Sequence, residues 1–201
     1  MEQHIFFSKA EQRKFVLDRR RSMTGPELSG KSHAICARLL ALPQLQNAGL
    51  ILSYMPTYDE ADVSELNRRL AGAGKHVCYP VTAGGGLMSA YEPESPDAFA
   101  VKRYGILEPV IEKSRRIEPA AIDAIILPCV AFDHQLRRLG HGAGYYDRYL
   151  PLCKNAVKIA AAFSVQQLEE VICDHCDIPV DLVVTEEKIY RKLKKISPGG
   201  A

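Results

Sequence analysis

Three observations predict an α/β fold, a three-layer sandwich around a mostly parallel central sheet. Short apolar runs alternate with amphipathic stretches along nearly the whole chain. One complete strand–loop–helix–strand unit stands between residues 50 and 79. An apolar run at 124–127 leads through a glycine-rich turn into a helical stretch, as a buried strand does when it feeds a ligand loop. At 201 residues the chain fits a single domain with a substantial core. Hydrophobic residues make up 47% and charged residues 25%, the balance of a globular protein, and the net charge of +2 is too small to imply nucleic acid. No apolar run reaches membrane-spanning length and the N-terminus lacks the apolar core of a signal peptide, so a cytoplasmic location with no membrane partner is expected. A monomer is expected as well, although nothing in the sequence fixes the oligomeric state.

In chain order, the stretch 9–21 reads as a basic helix carrying Lys9, Arg13, Lys14, Arg19, Arg20 and Arg21, with Phe15, Val16 and Leu17 on its buried side. Lys9 and Arg13 are four apart and share a helix face, where they either meet solvent or grip phosphate oxygens together. Thr24-Gly-Pro-Glu27 has the form of a capping box with proline just inside the start, and it opens a structural helix to Leu42, ahead of Pro43. Residues 50–54 form a short strand, 55–62 an acidic loop, 63–73 an amphipathic helix and 75–79 a strand stopped by Pro80, together a parallel crossover unit. Ligands bind outside the carboxyl ends of such strands, which places Asp59, Glu60 and Asp62 well for chemistry, although acidic loop residues are also ordinary solvated turns.

Further along, 82–86 reads as a turn, 87–92 as a strand, and 93–101 and 104–109 as irregular chain. Beyond the glycines, 157–163 is a strand, 165–173 a short helix, 182–185 a last strand, and 188–201 a basic end, its 188–195 part a frayed helix or a tail. Six scattered cysteines fit buried thiols in a reducing compartment. Cys173 and Cys176 have metal spacing, but no second well-spaced pair accompanies them.

The most informative stretch is Arg138-Leu-Gly-His-Gly-Ala-Gly144, followed by Tyr145-Tyr-Asp-Arg-Tyr-Leu150. Glycines at a helix entrance let backbone N–H groups approach a ligand closely, and Arg137, Arg138 and His141 add side-chain donors. The physical reading is a phosphate cradle, with a tightly packed glycine turn as the plain alternative. The spacing matches neither the P-loop nor the dinucleotide fingerprint.

Val130-Ala-Phe-Asp133 followed by the string 138–147 resembles the signature of the 5-formyltetrahydrofolate cyclo-ligase (5,10-methenyltetrahydrofolate synthetase) family, and weaker likeness extends from Lys9 to about Glu186. The resemblance implies a fold related to phosphosugar isomerases and CoA transferases. It also implies ATP-dependent closure of 5-formyltetrahydrofolate to 5,10-methenyltetrahydrofolate with release of ADP and phosphate. By the same resemblance ATP falls to Lys9, Arg13, Arg138, Leu139, Gly140, His141, Gly142, Ala143, Gly144, Tyr145 and Tyr146. The folate falls to Met55, Glu60, Tyr104 and the segment His141, Gly142, Ala143, Gly144 and Tyr145, and Mg²⁺ to Asp147. Glu60, Arg138 and Tyr145 are the implied catalytic group. Two positions depart from the pattern: Ala143 replaces a usual Gly or Lys, and a second acidic, metal-linked position falls on Asp174 or His175. Three other readings stay open. They are a phosphosugar isomerase needing no ATP, a plain ATPase or kinase, and a nucleic-acid binder resting on the helix 9–21 and the tail.

Overall fold

The computed structural model describes residues 6–102 and 105–192. Its helices are α1 (Lys9–Arg21), α2 (Gly25–Leu40), α3 (Pro43–Asn47), α4 (Ser64–Gly72) and α5 (Tyr145–Tyr149). Its strands are β1 (Leu50–Leu52), β2 (His76–Thr82), β3 (Met88–Pro93), β4 (Phe99–Val101), β5 (Leu107–Pro109), β6 (Ser114–Ile117), β7 (Ala124–Pro128), β8 (Ala131–Phe132), β9 (Arg138–Leu139), β10 (Val157–Ala161), β11 (Leu182–Val184) and β12 (Ile189–Arg191).

Eight strands form one sheet in the order β12-β11-β10-β7-β1-β2-β3-β6. The five central strands, from β11 to β2, run parallel, and antiparallel β12 on one side and β3 and β6 on the other extend it. Two small antiparallel ribbons, β4–β5 and β8–β9, stand apart from it. The central strands are apolar on both faces because both are covered. Ile51, Val77, Ile126 and Val184 pack under α2, α3 and α4. Their neighbours Leu52, Cys78, Leu127 and Val183 pack on the opposite side against Phe132, Leu136, Tyr149 and Leu150, as a pleat of period two requires. α1 lies outside these layers, and its Val16 packs with Val130, Leu139, Leu168 and Val171.

The expected crossover is present: β1, α4 and β2 follow one another with β1 and β2 parallel, Ile51 opposite Val77. The capping box is present too, Thr24 accepting from Glu27 N while Glu27 holds Thr24 N. Several local expectations need correction. α2 stops at Leu40, and Pro43 opens α3 instead of merely following a helix. Pro80 does not end β2. Past Cys78 that strand pairs only with β3, so the missing N–H falls on an unpaired side.

The segments expected to be irregular hold β4 and β5, paired with each other. The start of the basic tail is β12, antiparallel to β11, with Tyr190 edge-on to Phe132 at 5.0 Å. Residues 165–173 are not a helix beyond a single 3-10 turn at Ser164–Gln166. Leu168 N donates to Phe132 O and Val171 N to the Asp133 carboxylate, which draws the segment out along β8. The tail beyond residue 192 lies outside the described residues.

Candidate functional site

The sheet order reverses between β1 and β7: the chain leaves β1 for β2 on one side, and later strands β7, β10 and β11 continue on the other. That is a topological switch point, where loops at the carboxyl ends of neighbouring parallel strands separate and leave a crevice. The 53–63 connection follows β1, and the 129–144 segment follows β7.

The acidic loop is pinned at both ends. Tyr54 donates its hydroxyl to Ala61 O at 2.6 Å, Asn67 Nδ2 donates to Tyr54 O, and Ser32 Oγ accepts from Asp62 N at 3.0 Å. Burial pushes the Tyr54 phenol well above its ordinary value, so it stays a donor. Within this frame Glu60 is buried, with Oε2 accepting from Thr57 N at 3.0 Å and Oε1 lying 3.3 Å from His141 Nε2. Burial alone would raise the Glu60 carboxyl. The bonds to His141 and Thr57 N–H, with the charge of Arg20, outweigh it and hold the group below its ordinary value. Met55 and Glu60 border one open cleft of about 590 Å³, shared with the start of α2 and with Gly105 and Leu107. Tyr104, expected at the folate, lies outside the described residues.

The glycine loop is built on β8–β9. Asp133, fully buried, accepts from Gln135 N, Arg137 N and Val171 N and pairs with Arg137 Nε at 2.6 Å, which fixes the turn between the two strands. Leu139 buries its side chain beside Val16, and its carbonyl accepts from Val130 N, so both are spent on holding the ribbon to α1 and to its own strand pair. His141, Gly142 and Ala143 are exposed at the crest. Gly142 (φ 107°) and Gly144 (φ 67°) adopt left-handed backbone that side chains rarely tolerate. Arg148 straps the loop down, donating to Ala143 O and, at 2.9 Å, to Gly86 O. A β-carbon at Gly86 (φ 75°) would meet the end of that guanidinium. The arginine can swing aside only by giving up those bonds, so Gly86→Ala should lose about 1–2 kcal/mol to backbone strain and about 1 kcal/mol more with the strap, read as a lower urea midpoint with unchanged slope.

α1 closes the site from above. Arg13 Nε donates to Gly140 O at 2.8 Å, and its guanidinium lies about 3.5 Å from where a side chain on Gly142 would start. Lys9 is held by Asp174 at 2.7 Å and by Asp177. Of the two positions left open near the C-terminus, Asp174 meets Lys9. Asp177, which sequence reading passed over, does so as well, from 168 positions away. Burial lowers the Lys9 pKa, but the two carboxylates outweigh it and leave the value raised above 10.5. Burial raises Asp177, and Lys9 together with Asp174 N–H pulls it below 3.8. The raised amine contributes stability below 10.5 that fades as pH climbs through its folded value, and the depressed acid contributes above 3.8 and fades as pH falls through its own. The stability gap between wild type and Lys9→Met should therefore be flat from about pH 5 to about pH 9 and shrink at either extreme. Urea titrations at several pH values check this.

Arg138 is buried, donates to Asp147 Oδ1 at 2.7 Å and lies 6.0 Å from the Tyr146 ring centre. Among the described residues its Nε has no hydrogen-bond partner. Asp147 Oδ1 also accepts from Ile178 N at 3.1 Å. Tyr145 and Tyr146 are half-buried at the start of α5, and burial raises the Tyr146 phenol. Among the described residues no group of three or more His, Cys, Asp or Glu side chains is arranged to hold a metal by itself. Cys173 and Cys176 are exposed, whereas the other four thiols are buried.

An open α/β sheet with an acidic loop facing a glycine loop across its switch point defines the class: an enzyme that works at the carboxyl edge of a parallel sheet. More narrowly, the chain belongs to the 5-formyltetrahydrofolate cyclo-ligase family, whose model matches residues 6–186. It is 29% identical to the 5-formyltetrahydrofolate cyclo-ligase of Escherichia coli K12 over 181 residues, which is 87% of this chain and 98% of that one. It is 31% identical to a probable 5-formyltetrahydrofolate cyclo-ligase of Schizosaccharomyces pombe over 186 residues, 83% of this chain and 89% of the other. Among solved structures, the NMR structure of Aquifex aeolicus 5,10-methenyltetrahydrofolate synthetase superposes with a TM-score of 0.84 at 34% identity and covers 96% of each chain. The Mycoplasma pneumoniae 5,10-methenyltetrahydrofolate synthetase gives 0.75 at 27%, covering 90% of this chain and all of that one.

Proposed function

We infer that the protein cyclises 5-formyltetrahydrofolate to 5,10-methenyltetrahydrofolate at the expense of ATP, releasing ADP and phosphate. Family membership supports the reaction, and the 3.3 Å approach of His141 to Glu60 supports its location, because it joins the expected folate loop to the expected nucleotide loop. The chemical obstacle is a poor electrophile. The formamide carbon resists attack by N10, and its oxygen leaves badly. Attack of the formyl oxygen on the γ-phosphorus expels ADP and turns that oxygen into a phosphate ester. N10 then bonds to the carbon, its proton passes to solvent, and the carbon–oxygen bond breaks as phosphate departs.

Little covalent chemistry falls to the protein, so its task is positioning and charge stabilisation. Lys9, Arg13, Arg138 and the backbone of 139–146 take the phosphates. Met55 and Glu60 hold the pterin end. His141 to Tyr145 borders both ligands and sets the formyl oxygen beside the γ-phosphate, where Tyr145 and Arg138 act. Asp147 fits Mg²⁺ in the manner that ion favours, one carboxylate plus substrate phosphate oxygens, since its two described hydrogen bonds both fall on Oδ1. Bound there, the ion would neutralise phosphate charge. On this reading one domain acts as a cytoplasmic monomer, a location supported by its buried free thiols. Purified protein with 5-formyltetrahydrofolate, Mg²⁺ and ATP should develop the near-ultraviolet band of methenyltetrahydrofolate. Growth of the band without ATP, or none with it, would defeat the reading.

A further inference from the structure

We propose that the buried Arg20–Asp59 pair is a positioning device for this reaction, clamping the acidic loop to the helix that also touches the glycine loop. The inference rests on the reading of the site given above. Arg20 is 1% exposed and donates through Nε and Nη2 to Asp59 Oδ2, at 3.1 and 2.8 Å. Among the described residues its Nη1 has no hydrogen-bond partner. A buried ion pair is a weak way to stabilise a fold, because desolvating two charges offsets most of their attraction, and well-packed apolar side chains do as well. What such a pair supplies is one geometry.

Here the geometry leads to the site. Asp59 Oδ1 accepts from Thr57 Oγ1 at 3.3 Å, Thr57 N donates to Glu60 Oε2, and Glu60 Oε1 meets His141. His141 follows Gly140, whose carbonyl accepts from Arg13. Arg13 and Arg20 are seven apart, two helical turns along one face of α1. The contacts therefore close a ring through α1, the acidic loop and the glycine loop. A rigid helix spans the two loops and fixes their separation. Arg20 and Asp59 touch neither proposed ligand; they act through Glu60.

The test separates positioning from mere stability by the split between KM and kcat. Asp59→Asn should raise the KM for 5-formyltetrahydrofolate about tenfold, the effect of weakening one hydrogen bond to a charged group. The KM for ATP should stay within about twofold, because Lys9 and Arg13 keep their contacts. Arg20→Gln should raise the folate KM likewise, and Arg20→Lys, which keeps the charge and one donor, should show the smaller rise. Thr57→Val cuts the ring one link nearer Glu60, removing a single neutral donor from Asp59 while leaving the Arg20–Asp59 pair in place, and it decides the matter if the other variants do not fold. Combined with Asp59→Asn it should add nothing, since both cut the same path. Unchanged folate KM in every folded variant, with kcat scaled only to the folded fraction, would overturn the proposal. Wild-type protein that neither binds nor cyclises 5-formyltetrahydrofolate would overturn the reading of the site, and the inference with it.

Discussion

Glu60→Gln should raise the KM for 5-formyltetrahydrofolate about 100-fold, the upper range for losing a hydrogen bond that carries a full charge. The exchange keeps the volume of the side chain and lets its carbonyl go on accepting from Thr57 N, so the loop should keep its shape. What disappears is the negative charge that faces His141 and Arg20. The sign of the pH dependence follows from the depressed carboxyl. Burial raises it, the His141 and Thr57 bonds lower it further, and the group is ionised down to its ordinary value of 4.5 and below. The folate KM of the wild type should therefore be insensitive to Glu60 through neutral pH and rise only below about pH 4.5. Steady-state kinetics with saturating ATP measure both effects. An unchanged KM in Glu60→Gln would remove Glu60 from the folate.

Arg138→Ala should cost more, because one side chain serves two ends. The guanidinium is buried and pairs with Asp147 at 2.7 Å, so truncation leaves a half-buried carboxylate without its cation. Breaking such a pair destabilises by about 3 kcal/mol. Its Nε has no described partner, which suits a donor reserved for a phosphate oxygen. Loss of a preorganised donor of that kind lowers kcat by about 100- to 1,000-fold. Denaturant titration should show the first effect and saturating kinetics the second. Arg138→Lys separates them, since it keeps a charge near Asp147 but loses the planar fork.

Much of the fold was legible because its strongest elements announce themselves locally. The apolar run of β7 and the unit β1–α4–β2 carry their periodicity within a few residues of sequence. What escaped was short or borrowed. β4, β5 and β12 are three residues each and, unlike the equally short β1 and β11, each carries an exposed residue, so they lack the mark of a buried strand and exist because a neighbour supplies the ladder. The segment 165–173 has apolar residues three apart, which suits a helix, yet Phe132 O and Asp133 claim its N–H groups first.

The site divides in the same way. Glycines that need left-handed backbone, and Lys9 and Arg13 on one helix face, are properties of nearby residues. The partners of Lys9, the grip of Arg13 on Gly140 and the burial of Arg20 against Asp59 join positions between 39 and 168 apart. Only the fold brings these together. A helical spacing of seven between Arg13 and Arg20 was the one local sign that the same face reaches both loops.

The central claim is that the two facing loops bring the formyl oxygen to the γ-phosphate, and the fate of that oxygen tests it most directly. 5-Formyltetrahydrofolate carrying a heavy-oxygen label in the formyl group should be turned over in unlabelled water with ATP, and the released phosphate analysed by mass. Transfer of the label to phosphate, one atom per methenyltetrahydrofolate formed, is the expected result. Unlabelled phosphate would mean that ATP is hydrolysed apart from the folate, and the joined site described here would be wrong.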